Sequence, residues 1–328
     1  MQDPAAAHAF STFVRAVARG ETLSRPLTEA EAETAMAQVL TGKVEPVQLG
    51  AFLAVLRYRK ETTAELVGFV KAARRHLRIG NGIAVDLDWP SYADRHKQLP
   101  YFVLAALLLA HNGVRIAMHG ISGSGPVTTP AVLEALGIVP ATTPEATATA
   151  LDRKGLAYLP ISDLCPPMAE LFALRPLLGV RSAVNSFARA LNPLDATAQI
   201  LGVFHPTYMP THVEMALRLG QERSVIFKGG GGEAQRNPEK ACRLTLAESG
   251  TRSEETWQAL SYGSRFPWRE ETLDAKGVVA LWYGERREAA AEAAVVGTVA
   301  IALRALGRVT DWRNAHDQAE KLWHSRKL

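Results

Sequence analysis

The sequence has few cysteines, no long apolar run and only a small excess of positive charge. Cys165 and Cys242 lie far apart, outside any CxxC or Cys/His spacing, so neither a disulfide framework nor a zinc site is predicted. The most apolar segment, residues 102–110, is too short to cross a membrane. Residues 1–20 carry arginines among apolar residues, which favours an amphipathic helix over a secretory signal. We therefore expect no membrane partner and a cytoplasmic location.

The positive charge is unevenly distributed along the chain. A net charge of +4 argues only weakly for a polyanionic partner. The stretch 57–78 is clearly positive, because only Glu61 and Glu65 oppose its basic side chains. This pattern predicts either an anion-attracting surface or an ordinary solvated helix face. The basic residues are Arg57, Arg59, Lys60, Lys71, Arg74, Arg75 and Arg78.

Residues 1–80 are predicted to form an N-terminal helical domain. In the segment 27–42, Thr28 is placed to cap a helix, Glu31 to complete a capping box, and Gly42 to end the helix. Two further amphipathic helices are predicted over residues 46–58 and 63–77. Helical patterns return at about residues 163–192, and we expect those helices to pack on the N-terminal domain.

Residues 81–328 show alternating strand and helix patterns. A strand is predicted at 83–87, followed by an apolar helix that ends at Gly113 and a strand that ends at Gly120. Further strands are predicted in AYLPI, QILGVF and SVIFK, with a helix before the last. This alternation predicts an α/β domain whose sheet is mainly parallel, with helices on its faces.

Three pairs of segments, taken in order, resemble one family. They are LTEAEAETAMAQVLTG with QLGAFLAVLRYRKETTAELVGF, MHG with PAVLEALGI, and PMAELFALRPLLGVRSAVNSFARALNP with AQILGVFHP. Over about the whole chain, the sequence resembles anthranilate phosphoribosyltransferase and its relatives in glycosyltransferase family 3, including nucleoside phosphorylases. The resemblance implies a small helical domain, a large α/β domain, a cleft between them, and a homodimer formed through the helical domains.

The resemblance also implies a glycine-rich loop, GTGGD, that holds the pyrophosphate of the substrate after the first strand. Here Trp89 and Pro90 follow the predicted strand. Backbone N–H groups approach phosphate closely only where side chains are absent, and proline has no N–H group. We therefore expect that residues 86–97 do not hold a phosphate through the backbone.

Two other family motifs are altered. Of the KHGN motif, His119 and Gly120 remain as a remnant of the substrate site, together with Asn185 elsewhere. Ala234 and Gln235 fall where the resemblance implies the acidic pair that binds magnesium, an ion that needs oxygen ligands. We therefore expect no metal, no cofactor and no catalytic residue.

The residues retained or gained are mostly basic. The resemblance places Arg175 near the substrate carboxylate and matches Arg181 and Asn185 to the family's RTIFN motif, and Arg189 lies one helical turn beyond Asn185. In these features the chain resembles the YbiB-like branch of the family, which implies nucleic-acid binding without sequence preference. We predict a homodimer that binds nucleic acid, with single-stranded DNA or RNA as the expected partner, through a set of basic side chains. That set is Arg74, Arg75, Arg95, Lys97, Arg175, Arg181, Arg189 and Arg236.

Other interpretations remain open. The chain could be a transferase with a changed substrate, in which His119 would be the candidate proton-transfer group. It could also be a scaffold that uses its helical domain for protein contacts. Residues 122–129 could hold a small anion or form a flexible connection, and Trp89 and Tyr92 could stack on bases or belong to the core.

Overall fold

The computed structural model describes residues 9–80, 82–93, 98–260, 266–268 and 271–326. The chain forms two compact units. The first, here called the helical unit, comprises Met1–Arg78 and Ile161–Leu191, and the second, the sheet unit, comprises Ile79–Pro160 and Asn192–Leu328. Within the described residues, no helix combines the length and the apolarity that a membrane span requires.

The helical unit is built from two separate parts of the sequence. Its first four helices are α1 (Ser11–Ala18), α2 (Glu29–Leu40), α3 (Pro46–Arg59) and α4 (Thr63–Arg74). Its later helices follow the third strand, and they are α8 (Ile161–Leu164), α9 (Pro166–Ala173), α10 (Arg175–Leu178) and α11 (Val184–Phe187), with a short 3-10 turn at Ala188–Ala190.

Helices α2 and α4 each start with a capping box. The hydroxyl of Thr28 accepts from the N–H of Glu31, and the Glu31 carboxylate accepts from the N–H of Thr28, as the sequence predicts. Thr62 and Glu65 make the same reciprocal bonds at the start of α4. These bonds satisfy N–H groups that a helix leaves unpaired at its first turn.

A row of phenylalanine rings forms the centre of the helical unit. Phe10 packs edge-on against Phe52 with centroids 5.2 Å apart, and Phe52 lies 6.3 Å from Phe69. Phe69 lies 5.7 Å from Phe187 in α11. Because Phe187 belongs to the second segment, this row joins the two parts of the sequence in one core.

The sheet unit contains one seven-stranded sheet in the order β3-β2-β1-β4-β5-β6-β7. The first five strands in that order are parallel to one another, β6 is antiparallel to β5, and β7 is antiparallel to β6. This mainly parallel sheet confirms the predicted α/β fold. The strands are β1 (Leu87–Ser91), β2 (Ile116–Gly120), β3 (Leu156–Pro160), β4 (Ala198–Val203), β5 (Arg223–Lys228), β6 (Cys242–Glu248) and β7 (Thr251–Trp257). The helices are α5 (Phe102–His111), α6 (Thr129–Ala135), α7 (Pro144–Lys154), α12 (Met209–Arg218), α13 (Ala275–Trp282), α14 (Ala289–Ala305) and α15 (Trp312–His324).

Strand β1 begins four residues later than the sequence predicts. It covers Leu87–Ser91, so Trp89 and Pro90 lie within the strand, not in the loop after it. Proline is tolerated there because the pairing of β1 with β4 is confined to Leu87 and Asp88. The loop therefore starts at Tyr92, and the predicted strand at 83–87 is wrong.

The hairpin of β6 and β7 was not predicted. Its turn contains Ser249 at φ 48° and Gly250 at φ 77°, which is the left-handed backbone that suits a tight hairpin. The Ser-Gly pair after the polar-apolar alternation of β6 is a signal for this hairpin. The apolar segment of α5 is buried along its length in the core, which explains why it is so hydrophobic.

Candidate functional site

A buried chain of polar side chains runs along β1, β2 and β4, from Asp88 and Gln199 near the starts of their strands to His119 and Tyr92 near the carboxyl ends. The hydroxyl of Tyr92 lies 2.8 Å from Nδ1 of His119, and Nε2 of the same ring lies 3.1 Å from Oδ1 of Asp88. The second contact is close but does not have hydrogen-bond geometry. Gln199 donates from Nε2 to Oδ2 of Asp88 at 2.7 Å. All four side chains are buried, so this chain fixes the start of the loop that follows β1.

The segment after β5 crosses these strand ends at very short range. Glu233 is buried, and its Oε1 accepts from the N–H of Ala93 at 2.6 Å. A Cβ atom at Gly202 would lie 2.1 Å from the Glu233 carbonyl oxygen, and one at Gly229 would lie 1.6 Å from it. The two glycines therefore allow the Glu233 backbone to lie directly on the ends of β4 and β5.

Gln235 caps the helix that follows β1. Its Oε1 accepts from the N–H of Phe102 at 2.9 Å, and its Nε2 donates to the carbonyl of Leu99 at 3.2 Å. The neighbouring Ala234 has no ligand atom and is fully buried. The side chains at these two positions therefore do not fit the role of a magnesium-binding pair.

Among the described residues, one group of histidine and acidic side chains is compact enough to share a metal ion. It consists of His316, Asp317 and Glu320, all on α15. None of these residues belongs to the strand ends.

Arg236 does not lie on a surface, contrary to the prediction that it contacts nucleic acid. It is 1% exposed, and burial lowers the pKa of its guanidinium. The guanidinium donates to the carbonyl of Gln258 and lies 5.7 Å from the ring of Trp257. Arg236 therefore supports the interior of the sheet unit, and we leave it out of any binding surface.

Much of the positive stretch in the helical unit is engaged with nearby groups. Arg59 pairs with Glu65, Lys71 with Glu29, and Arg75 with Glu33. Two of these partners, Glu29 and Glu33, come from α2 and lie far away in sequence. The stretch is therefore less positive in the fold than its local sequence indicates.

Arg74, another predicted contact, has a structural role. Its Nε donates to the carbonyl of Leu191 at 2.8 Å, and its second amino group donates to the carbonyl of Ala190 at 3.2 Å. These bonds tie the end of α4 to the end of the second helical segment. Arg74 is half-buried there.

Three arginines of the helical unit form a cluster of like charge. Arg57, Arg175 and Arg181 are exposed residues of this unit. Burial and the charges of Arg175 and Arg57 lower the pKa of Arg181, so both guanidinium groups lie close enough to act on that of Arg181. Arg57 also faces Glu61, whose pKa is raised by burial. Arg181 makes no ion pair with an acidic side chain of the described residues, and this arrangement suits an anion with several negative charges. We call these three residues the arginine cluster.

The remaining predicted residues occupy different environments. Arg189 and Asn185 are half-buried in the helical unit, whereas His119 and Gly120 are buried in the sheet unit. Trp89 and Tyr92 are core residues, so the stacking interpretation is wrong for both. Arg95 and Lys97 lie outside the described residues.

Three residues that shape these sites were not predicted from the sequence. Arg57 was counted in the positive stretch but not assigned to a site, and the signal was its position at the end of α3. Glu233 and Gln199 bond to partners more than a hundred residues away, so no local pattern could identify them.

Two domain models of one protein family match most of this chain. Residues 11–77 match the helical bundle domain of a glycosyl transferase family, and residues 102–327 match its α/β domain. The uncharacterised protein YbiB of Escherichia coli is 27% identical over 245 residues, which cover 73% of this chain and 76% of YbiB. Anthranilate phosphoribosyltransferase of Symbiobacterium thermophilum is 33% identical over 220 residues, covering 66% of this chain and 63% of the enzyme.

A solved structure has the same fold over nearly the full length. Anthranilate phosphoribosyltransferase from Thermus thermophilus superposes with a TM-score of 0.81, covering 97% of this chain and 94% of the other. The two sequences are 24% identical, so this likeness is one of fold.

Proposed function

Because the chain belongs to the glycosyl transferase family that includes the anthranilate phosphoribosyltransferases, we propose that it uses this fold to bind nucleic acid without sequence preference. The observation that carries the proposal is the arginine cluster of Arg57, Arg175 and Arg181. A nucleic-acid backbone offers a series of phosphates, and guanidinium groups bind phosphate through paired hydrogen bonds. Arg189 remains part of the proposed contact set, as do Arg95 and Lys97.

The strand ends of the sheet unit support this choice over phosphoribosyl transfer. Transfer from a phosphoribosyl pyrophosphate donor needs groups that hold a pyrophosphate and its magnesium. Here His119, Asp88 and Tyr92 contact one another, and Gln235 is used as a helix cap. Glu233 is a buried carboxylate that accepts a bond from the backbone. Each of these side chains makes at least one close contact within the fold, which supports a structural role for them.

A homodimer formed through the helical unit is part of the proposal. Val47 on α3 and Leu177 on α10 are large apolar side chains exposed on this unit. Covering them in a second copy would remove apolar surface from water. Light scattering of the purified chain should give twice the 35.5 kDa mass of one copy, and a monomer at micromolar concentration would contradict the dimer.

Salt-dependent binding tests the main proposal. Fluorescent single-stranded DNA, duplex DNA and single-stranded RNA are titrated with the protein at several salt concentrations. Affinity should fall steeply as salt rises, because each phosphate contact releases condensed counterions. The double variant Arg175→Ala/Arg181→Ala should bind more weakly, with a slope of log K against log salt that is smaller by roughly 0.7 for each lost contact to a single strand.

A matched control removes the same charge elsewhere. Arg218 and Arg252 are exposed arginines of the sheet unit, paired with Glu214 and Glu254. The double variant Arg218→Ala/Arg252→Ala should keep the slope of the unaltered protein. If neither double variant changes the slope, or if the protein shifts no oligonucleotide at low salt, the proposal fails.

A transferase with a changed substrate is the second candidate. Arg175, Arg181 and Asn185, which match motifs of the transferases, all lie in the second segment of the helical unit. Calorimetry with phosphoribosyl pyrophosphate and magnesium distinguishes the two functions. Micromolar binding that Arg175→Ala weakens would favour the transferase, and no heat at millimolar concentration would count against it.

A further inference from the structure

An aromatic pair is exposed at the carboxyl end of β4. Phe204 follows directly after Val203, the last residue of the strand, and is 46% exposed. His205 is exposed too, and its ring lies edge-on to that of Phe204, with centroids 4.7 Å apart and planes at 80°. This contact fixes the phenyl ring and leaves part of its surface open to solvent.

A turn made of glycines lies beside the ring. The glycine turn that follows β5, residues 229–232, passes beside Phe204, since a Cβ at Gly232 would lie 3.4 Å from the Phe204 Cβ. Gly231 and Gly232 have φ values of 67° and 94°. The turn therefore offers only backbone next to the ring, so that a flat molecule can approach it.

The neighbouring strand end is positively charged. Lys228 is the exposed last residue of β5, and it is in register with Val203. Neighbouring strands lie about 5 Å apart, so a lysine side chain from this position lies within reach of a group bound beside Phe204. In open α/β sheets, ligands bind outside the carboxyl ends of parallel strands.

We propose that Phe204 and His205 form a platform on which a nucleobase of a bound single strand stacks, while Lys228 attracts an adjacent phosphate. This proposal rests on the nucleic-acid binding proposed above and adds a site in the sheet unit that binds the plane of a base as well as a phosphate. Every base has a flat face, so stacking is compatible with binding that has no sequence preference. The bound partner is therefore a single strand with accessible bases, and a duplex should not use this site.

The experiment combines a substitution in the protein with a change in the ligand. Binding of Phe204→Ala is compared with the unaltered protein on an adenine oligonucleotide and on an abasic strand with the same number of phosphates. The variant should lose roughly ten-fold affinity for the adenine strand, the typical size of one base-aromatic stack. Its affinity for the abasic strand should not change. Lys228→Ala should weaken both strands and reduce the salt slope by roughly 0.7.

Tyr283 provides the matched aromatic control. It is 45% exposed and lies in the same unit, at the end of α13. Tyr283→Ala should bind both strands as the unaltered protein does, and circular dichroism should show that both variants fold. The platform is refuted if Phe204→Ala binds the adenine strand with unchanged affinity, or if it loses the same affinity for both strands. Either result leaves the salt-dependent binding in place. If neither strand binds at low salt, the proposed function and the platform both fall.

Discussion

The main-chain N–H of Phe102 donates to Oε1 of Gln235, which lies 133 residues further along the chain and 2.9 Å away. This bond places a side chain from the loop after β5 at the start of α5, directly after the loop of β1. The first N–H groups of a helix are where an anion most readily binds. In this protein one of those groups is already satisfied by a neutral amide.

Replacing Gln235 with alanine should destabilise the sheet unit. The substitution removes a cap and leaves the Phe102 N–H and the Leu99 carbonyl without their partner in a buried site. We expect a loss of about 2–4 kcal/mol in the free energy of unfolding, measured by urea titration. Gln318→Ala is the control, since that side chain bonds only to Asn314 on its own helix, and it should stay within about 0.5 kcal/mol. Equal effects would contradict the capping role.

The two capping boxes of the helical unit should respond differently to the same substitution. Glu65 is fully buried, bonds to the N–H of Leu27 and pairs with Arg59, whereas Glu31 is 34% exposed and pairs with Arg25. Glu65→Gln should cost about 3 kcal/mol, because it leaves a poorly solvated arginine without its partner. Glu31→Gln should cost about 1 kcal/mol or less, because water replaces the lost pair. Thermal unfolding of both variants compares the two, and a larger effect at Glu31 would refute the argument.

Glu31 should also make the stability of the helical unit depend on pH. The hydrogen bond from Arg25, followed by that from the Thr28 N–H, lowers the pKa of Glu31 to about 2 from an ordinary 4.5. A lowered pKa means that the folded state favours the ionised carboxylate. Its contribution to stability is complete above about pH 4.5 and is lost as the pH falls toward 2. The difference in urea midpoint between the unaltered protein and Glu31→Gln should therefore shrink over that range, and a constant difference would show that the charge is irrelevant.

Two glycines should give opposite results when replaced with alanine. At Gly202 the new methyl group would lie 2.1 Å from the backbone of Glu233, so the crossing segment would have to move. We expect a loss of at least about 3 kcal/mol, or failure to fold. Gly50 lies inside α3 with no atom within 4 Å of an added Cβ, so Gly50→Ala should stabilise the helical unit by about 0.5–1 kcal/mol. Calorimetric melting of the two variants measures both effects, and a mild result at Gly202 would contradict the close crossing.

Local patterns predicted the helix starts and the class of the fold. The capping box of Thr28 and Glu31 spans only four residues of sequence, and the structure confirms it. The start of β1 was misplaced because residues 83–87 are as apolar as a strand, and Trp89 with Pro90 looked like a break. Pro90 is accommodated only because β4 does not pair with that part of β1, which depends on the sheet and not on its neighbours in sequence.

The candidate sites were predicted less completely, because charge depends on distant partners. Nothing near Lys71 and Arg75 in sequence shows that they form ion pairs, because their partners Glu29 and Glu33 belong to α2. Arg236 follows a glycine turn and looked exposed, yet the fold buries it next to Trp257. Arg175 and Arg181 were found because the family resemblance pointed to them, and their interaction with Arg57 became visible only in the fold.

The row of phenylalanines in the helical unit has a consequence for synthesis on the ribosome. Phe69 emerges with the first four helices, but its partner Phe187 belongs to a segment made more than a hundred residues later. At about 5–20 residues per second, this gap lasts on the order of ten seconds. During that time the nascent helices expose the apolar face that Phe187 later covers. The chain therefore completes its first unit only after the first part of its second unit has been translated, and this interval is when a nascent-chain chaperone would have most to bind.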